Sequence, residues 1–253
     1  MALTARYEDC AWMRVTFDSN AWEKIFAPRD EKWIAIREAL LRGRIFGFIS
    51  EAAFRIEAIR KKERSAYFAQ SAMDVQFPFD TVVRDGVPYL RIMLIGPDNN
   101  LHPGLPDAQA EKLSLALDTG IRVLRGVTWL GLPSPLNNGA RPIFEEDKGN
   151  QNEREQCQIA VMERIEARGV GKAIFDAIGG WQAVKSENEK ALSKSCAEWA
   201  DAELVAAHIA YGNDIICTDD HGRASGLSIF DMANRNWLSS EYGVRFITLE
   251  NLG

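Results

Sequence analysis

Two short apolar runs, MRVTF at 13–17 and DIICT at 214–218, stand near opposite ends of the chain, and each stops at acidic residues. Asp18, followed by Ser19 and Asn20, closes the first; Asp219 and Asp220 close the second. Runs this short and this apolar fit strands buried in a sheet. Asp, Ser and Asn after a strand also cap the helix that follows, because their side-chain oxygens accept hydrogen bonds from its first N–H groups. The neighbouring segments extend the pattern. Apolar residues recur at helical spacing over 30–42 and stop at Gly43, a second apolar run fills 44–49, and Ser50 opens a helix to about residue 62. Strand, helix, strand, helix is the pattern of a parallel sheet covered by helices. It returns near the C-terminus, with an amphipathic helix over 198–211, the run 214–218, a short helix around 229–237 and a last strand at 244–249.

The middle of the chain has another character. Asp85-Gly86 separates two β-rich runs within 81–95, a hairpin signal. A helix is expected over 107–125, a Gly/Pro/Asn-rich loop over 131–142, a charged surface loop over 144–156, and further helices over 154–167 and 171–178. The expectation is an α/β protein whose parallel sheet comes from 1–64 and 196–253, interrupted at 65–195 by a mixed α+β insertion of a hairpin plus helices.

Composition removes several classes. A chain of 253 residues with 46% apolar residues can bury a core without disulfides or a structural metal. Cys10, Cys157, Cys196 and Cys217 form no C-x-x-C pair and have only three histidines for company, so a zinc site is not supported. The N-terminus lacks a signal-peptide pattern and no stretch reaches 18 apolar residues, which predicts a reduced, cytoplasmic protein with no membrane span. Acids outnumber bases by 36 to 30, a net charge of −6, against a purely electrostatic nucleic-acid binder. Gly169-Val170-Gly171-Lys172-Ala173 lacks the first glycine and the hydroxyl of a phosphate loop.

Position makes a few of those acids informative. In open parallel sheets, ligands bind beyond the carboxyl ends of the strands. Asp18 and Asp220 end strands there, and Asp201 lies near the start of the helix that leads into the second strand. Carboxylates that converge and cannot neutralise one another need cations, and hard oxygen ligands select Mg²⁺ or Mn²⁺.

Four pieces carry a family resemblance: Phe17-Asp18-Ser19-Asn20; the segment from Ile49 to Glu57; Asp201-Ala202-Glu203-Leu204-Val205-Ala206-Ala207-His208; and Ile216-Cys217-Thr218-Asp219-Asp220. In this order and placement the chain resembles the PIN-domain nucleases over 1–64 and 196–253. The resemblance implies a Rossmann-like α/β/α sandwich with a five-stranded parallel sheet. It also implies Mg²⁺- or Mn²⁺-dependent phosphodiester hydrolysis, most often of RNA. On it, Asp18, Glu57, Asp201 and Asp220 are the metal ligands, with Glu51, Glu203 and Asp219 as alternatives to the last three. Asn20 and Thr218 are the polar helpers that orient water or a carboxylate.

Arg60, Lys61 and Lys62, with Arg55 and Arg64, make a basic cluster suited to a nucleic-acid backbone, or to a solvated helix C-terminus. His221 adjoins the last acids and reads as an incidental loop residue. RNA is the expected substrate, single-stranded or structured DNA the alternative, and an inert PIN-like scaffold the third reading. The insertion is expected to restrict substrate or to carry a protein-partner or homodimer contact.

Overall fold

The computed structural model describes residues 13–27, 31–57, 59, 63, 79–84, 87–92, 104–127, 136, 144–145, 151–180, 189–222 and 228–252, with the side chains at 56–57, 79–84, 87–92 and 189 left aside. Apolar runs too short for a stable helix must pair with one another to satisfy their backbone groups. The strands are β1 Met13–Phe17, β2 Ile45–Ser50, β3 Phe79–Arg84, β4 Val87–Ile92, β5 Arg122–Leu124, β6 Ile215–Cys217 and β7 Arg245–Ile247. The helices are α1 Ser19–Ile25, α2 Ile34–Leu41, α3 Asp107–Asp118, α4 Gln151–Glu166, α5 Lys172–Ala177, α6 Glu189–Ala210, α7 Met232–Tyr242 and α8 Leu249–Leu252, with a π-helical turn at Ala53–Glu57.

Five strands form one parallel sheet in the order β5-β2-β1-β6-β7. The pair β3 and β4 stands apart as an antiparallel hairpin, with Arg84 opposite Val87 and two residues between them, as Asp85-Gly86 predicts. Side chains alternate across a strand. Val15, Phe17, Ile45, Ile49, Ile215 and Cys217 therefore share one core with Trp22 of α1, Ile36 and Leu40 of α2, and Leu113 and Ala116 of α3. Ile216 faces the other way, into a core with α4, α5, α6 and α7, and Phe48 and Leu124 pack on Ala207 of α6. The result is a Rossmann-like α/β/α sandwich.

Trp22 anchors α1 beneath the site. It is fully buried, with its ring 5.7 Å from that of Phe54, and burying one such side chain contributes about 1.5–3 kcal/mol. Gly47 in β2 permits a close approach of layers, since a Cβ there would lie 2.7 Å from both Ile121 and Leu40.

Four expectations need correction. The fifth strand, β5, comes from inside 65–195, and α4 shares the core of α6; the sheet is thus not confined to 1–64 and 196–253. The helix expected over 107–125 ends at Asp118, Gly120 takes φ 94°, and Arg122–Leu124 enters the sheet. An apolar cluster alone does not distinguish a buried strand from a helix. Finally, α4 begins at Gln151, inside the expected surface loop 144–156, and α6 begins nine residues before 198.

Candidate functional site

Chain direction places the acids. On one side of β1 the chain proceeds to β2 and β5; on the other lie β6 and β7. The winding therefore reverses between β1 and β6, and such a reversal opens a crevice at the carboxyl ends of the strands. Asp18 leaves β1 at that edge, and Thr218, Asp219 and Asp220 leave β6 beside it.

Hydrogen bonds lace the two strand ends together. The Asp18 N–H donates to the Cys217 carbonyl at 3.0 Å. Asp18 is the N-cap of α1, its Oδ1 accepting from the Ser19 N–H at 2.6 Å. Its Oδ2 accepts from the Asn20 amide and from the Thr218 hydroxyl, each at 2.6 Å. Thr218 Oγ1 in turn accepts the Asp220 N–H at 3.0 Å, and Asn20 Oδ1 accepts the Asp219 N–H at 3.0 Å. Four of the expected residues, Asp18, Asn20, Thr218 and Asp220, thus form one network. Burial pushes the Asp18 carboxyl above its ordinary value and the nearby Asp220 charge adds to this, while the bonds from Thr218, Ser19 and Asn20 work against it.

Asp219, the alternative to Asp220, has other partners. Partial burial raises its carboxyl, but Lys24 at 2.6 Å, the Leu249 N–H at 3.0 Å and the nearby His221 together hold it below the usual range. Asp220 Oδ1 accepts the Gly222 N–H at 2.8 Å. Gly222 has φ 58°, and a Cβ there would collide with the backbone of Phe230 and Asp231, so glycine is required for this loop to seat on the start of α7.

Two groups that the sequence did not single out complete this end. Arg235 of α7 donates to the carbonyls of Asp220 and Phe230, and its guanidinium lies 4.7 Å from the Phe246 ring centre. Burial lowers its pKa, while Asp220 and Asp18 raise it. Glu198 of α6 is buried and bonded to Ser228 and Ile229; burial, with a smaller contribution from the Asp220 charge, lifts its carboxyl to about 7. Arg235 had no local signal. For Glu198 the only signal was its spacing of three from Asp201.

Helix geometry locates Asp201. Glu198, Asp201, Val205 and His208 fall on one stripe of α6, and His208 Nδ1 lies 2.9 Å from Thr16 Oγ1, which sets that stripe over β1. Half-buried Asp201 lies seven residues nearer the carboxyl edge, a rise of about 10 Å.

Beyond β2 and β5 lies a second acidic cluster. Glu51, the alternative to Glu57, is buried and accepts from Arg55 at 2.7 Å and from the Gly126 N–H at 3.1 Å. Glu203, the alternative to Asp201, is buried in the same cluster; burial lifts it to about 7, with Arg55 lowering it and Glu51 raising it. Arg55 is therefore turned inward on carboxylates and not toward a nucleic-acid backbone. The backbone of Glu57 lies in the π-helical turn, but its side chain is outside the described residues, as are Arg60, Lys61, Lys62 and Arg64.

The donor chemistry of the Asp18–Asp220 pair, carboxylate oxygens of like charge with Asp18 buried and Asp220 half-buried, fits a hard divalent cation. Among the described residues, no group of three or more His, Cys, Asp or Glu is arranged to hold a metal ion. Compared with family models, curated proteins and solved structures, the chain matches none. Among the described residues, no helix is long and apolar enough to cross a membrane.

Proposed function

We propose that the chain is a PIN-like, Mg²⁺- or Mn²⁺-dependent nuclease acting on RNA. The reading rests on one observation: the acids that end β1 and β6 are joined through Thr218 at the point where the winding of a parallel sheet reverses. Asp18 and Asp220 are the residues that would hold the cation, with Asp201 and Glu57 the further carboxylates of the family pattern. When bound, such an ion lowers the pKa of a water and stabilises the charge that builds on a phosphate under attack.

The chain's own residues prepare that chemistry. Thr218 and Asn20 fix the Asp18 carboxylate, and Thr218 also holds the Asp220 backbone. Arg235 clamps the loop through the Asp220 carbonyl and brings positive charge near both acids, which restrains their repulsion. On the PIN resemblance, in-line attack by that water would expel the 3′-oxygen and leave a 5′-phosphate and a 3′-hydroxyl.

The test combines titration calorimetry with Mn²⁺ and cleavage of a mixed-sequence RNA. Binding and cleavage are expected in the wild type, with both lost in Asp18→Asn and Asp220→Asn and cleavage lost in EDTA. Cleavage that persists in EDTA, or Mn²⁺ binding unchanged in both variants, overturns the proposal. Preference for flapped DNA over RNA would overturn the RNA assignment alone.

A further inference from the structure

Next to the Asp18–Asp220 crevice runs an open cleft of about 480 Å³, lined by Lys24, Lys32, Trp33, Asp219, His221, Thr248 and Glu250. A volume of this size accommodates a nucleotide-sized ligand. Its lining residues are polar apart from Trp33, which is buried and carries the Lys32 ammonium 4.5 Å above its ring centre. It also begins at the site: Asp219 precedes Asp220 in the chain, so their Cα atoms are about 3.8 Å apart.

We propose that this cleft holds the sugar–phosphate backbone of the single strand next to the scissile phosphate, with Lys24, Lys32 and His221 facing its phosphates. The inference rests on the nuclease reading and names where that substrate lies. Both acids in the cleft already have cationic partners, since Lys24 reaches Asp219 at 2.6 Å and Lys32 reaches Glu250 at 3.0 Å. Neither carboxylate therefore faces an incoming phosphate uncompensated. Both lysines are at least half exposed, and ion pairs of that kind contribute little net energy and exchange readily for another anion. A phosphate can thus share each ammonium without a buried pair being broken. Thr248 adds a hydroxyl able to donate to a phosphate or ribose oxygen. His221, an incidental loop residue on sequence grounds, gains a role here because it is exposed on the cleft wall beside Asp219.

Binding is measured by fluorescence anisotropy with a labelled single-stranded oligoribonucleotide in EDTA, so that binding is read apart from cleavage. The proposal expects Lys24→Gln/Lys32→Gln to weaken binding about tenfold or more, and to reduce the slope of log Kd against log salt by about 0.7 for each lysine removed, the single-strand value. Lys32→Gln alone, which leaves the Asp219 pair intact, lowers the slope by about 0.7. His221→Gln weakens binding without changing that slope as much. Arg42→Gln removes the same charge at the far edge of the sheet and leaves binding unchanged. Equal weakening by Arg42→Gln, or unchanged binding in the double variant, overturns the proposal. A wild type that cleaves with metal while the double variant keeps its KM overturns the cleft and leaves the nuclease reading standing. Cleft-dependent binding without any cleavage does the reverse.

Discussion

Two acidic clusters occupy the same edge of the sheet, and they are stabilised in opposite ways. Beyond β2 and β5, Glu51 is answered by the Arg55 guanidinium at 2.7 Å, so that cluster closes on its own cation. Beyond β1 and β6, the hydrogen bonds to the Asp18 carboxylate come from an N–H, an amide and a hydroxyl, all neutral. Arg235 lies close but spends its hydrogen bonds on backbone carbonyls. Acidity at a strand end therefore does not by itself mark a cation site. What separates the two clusters is whether a cationic side chain hydrogen-bonds the buried carboxylate directly, as Arg55 does for Glu51 and none of the bonds to Asp18 does.

The sharpest way to break this contrast is Asp18→Asn. It keeps an acceptor for the Ser19 N–H but removes the charge, and cleavage is expected to fall by about 10²–10³-fold while circular dichroism stays native. A cleaving Asp18→Asn would place the chemistry elsewhere. Arg55→Ala should act on stability, because it leaves the buried Glu51 without its cation; a loss of about 3–5 kcal/mol in denaturant unfolding is expected.

Glu203→Gln tests the same cluster through pH. A carboxyl held at about 7 when folded, against an ordinary 4.5, contributes stability that is fully present below about pH 4.5 and is lost as pH rises through 7. The variant should thus be more stable than the wild type at pH 8, by up to about 3 kcal/mol, with the gain vanishing below about pH 4.5. A gain that does not depend on pH would refute ionisation as its cause. Smallest is Asp219→Asn, whose partly exposed bond to Lys24 predicts a stability change of less than about 1 kcal/mol by thermal melting.

The sequence exposed the two strand ends readily, because Met13, Val15 and Phe17 alternate before Asp18 and Ile215, Ile216 and Cys217 run together before Asp219, patterns that fit buried strands. The hairpin was legible for the same kind of reason: Asp85-Gly86 between β-rich runs specifies its own turn. Only three residues long, β5 was hidden behind Gly120, because its apolar residues continued the helical spacing of α3. The roles of Arg235, Glu198 and Arg55 could not be read, since each depends on partners brought close by the tertiary fold. Arg55 illustrates this well: in sequence it belongs to a basic run, and in the fold it is the counter-ion of Glu51.

The Thr218–Asp18 bond spans 200 positions of the chain. Asp18 is therefore made 200 residues before Thr218, and a growing chain that has not yet reached Thr218 and Asp220 cannot build the crevice. The first acid is in place long before its partners, so the network is a late product of synthesis however early β1 itself is made.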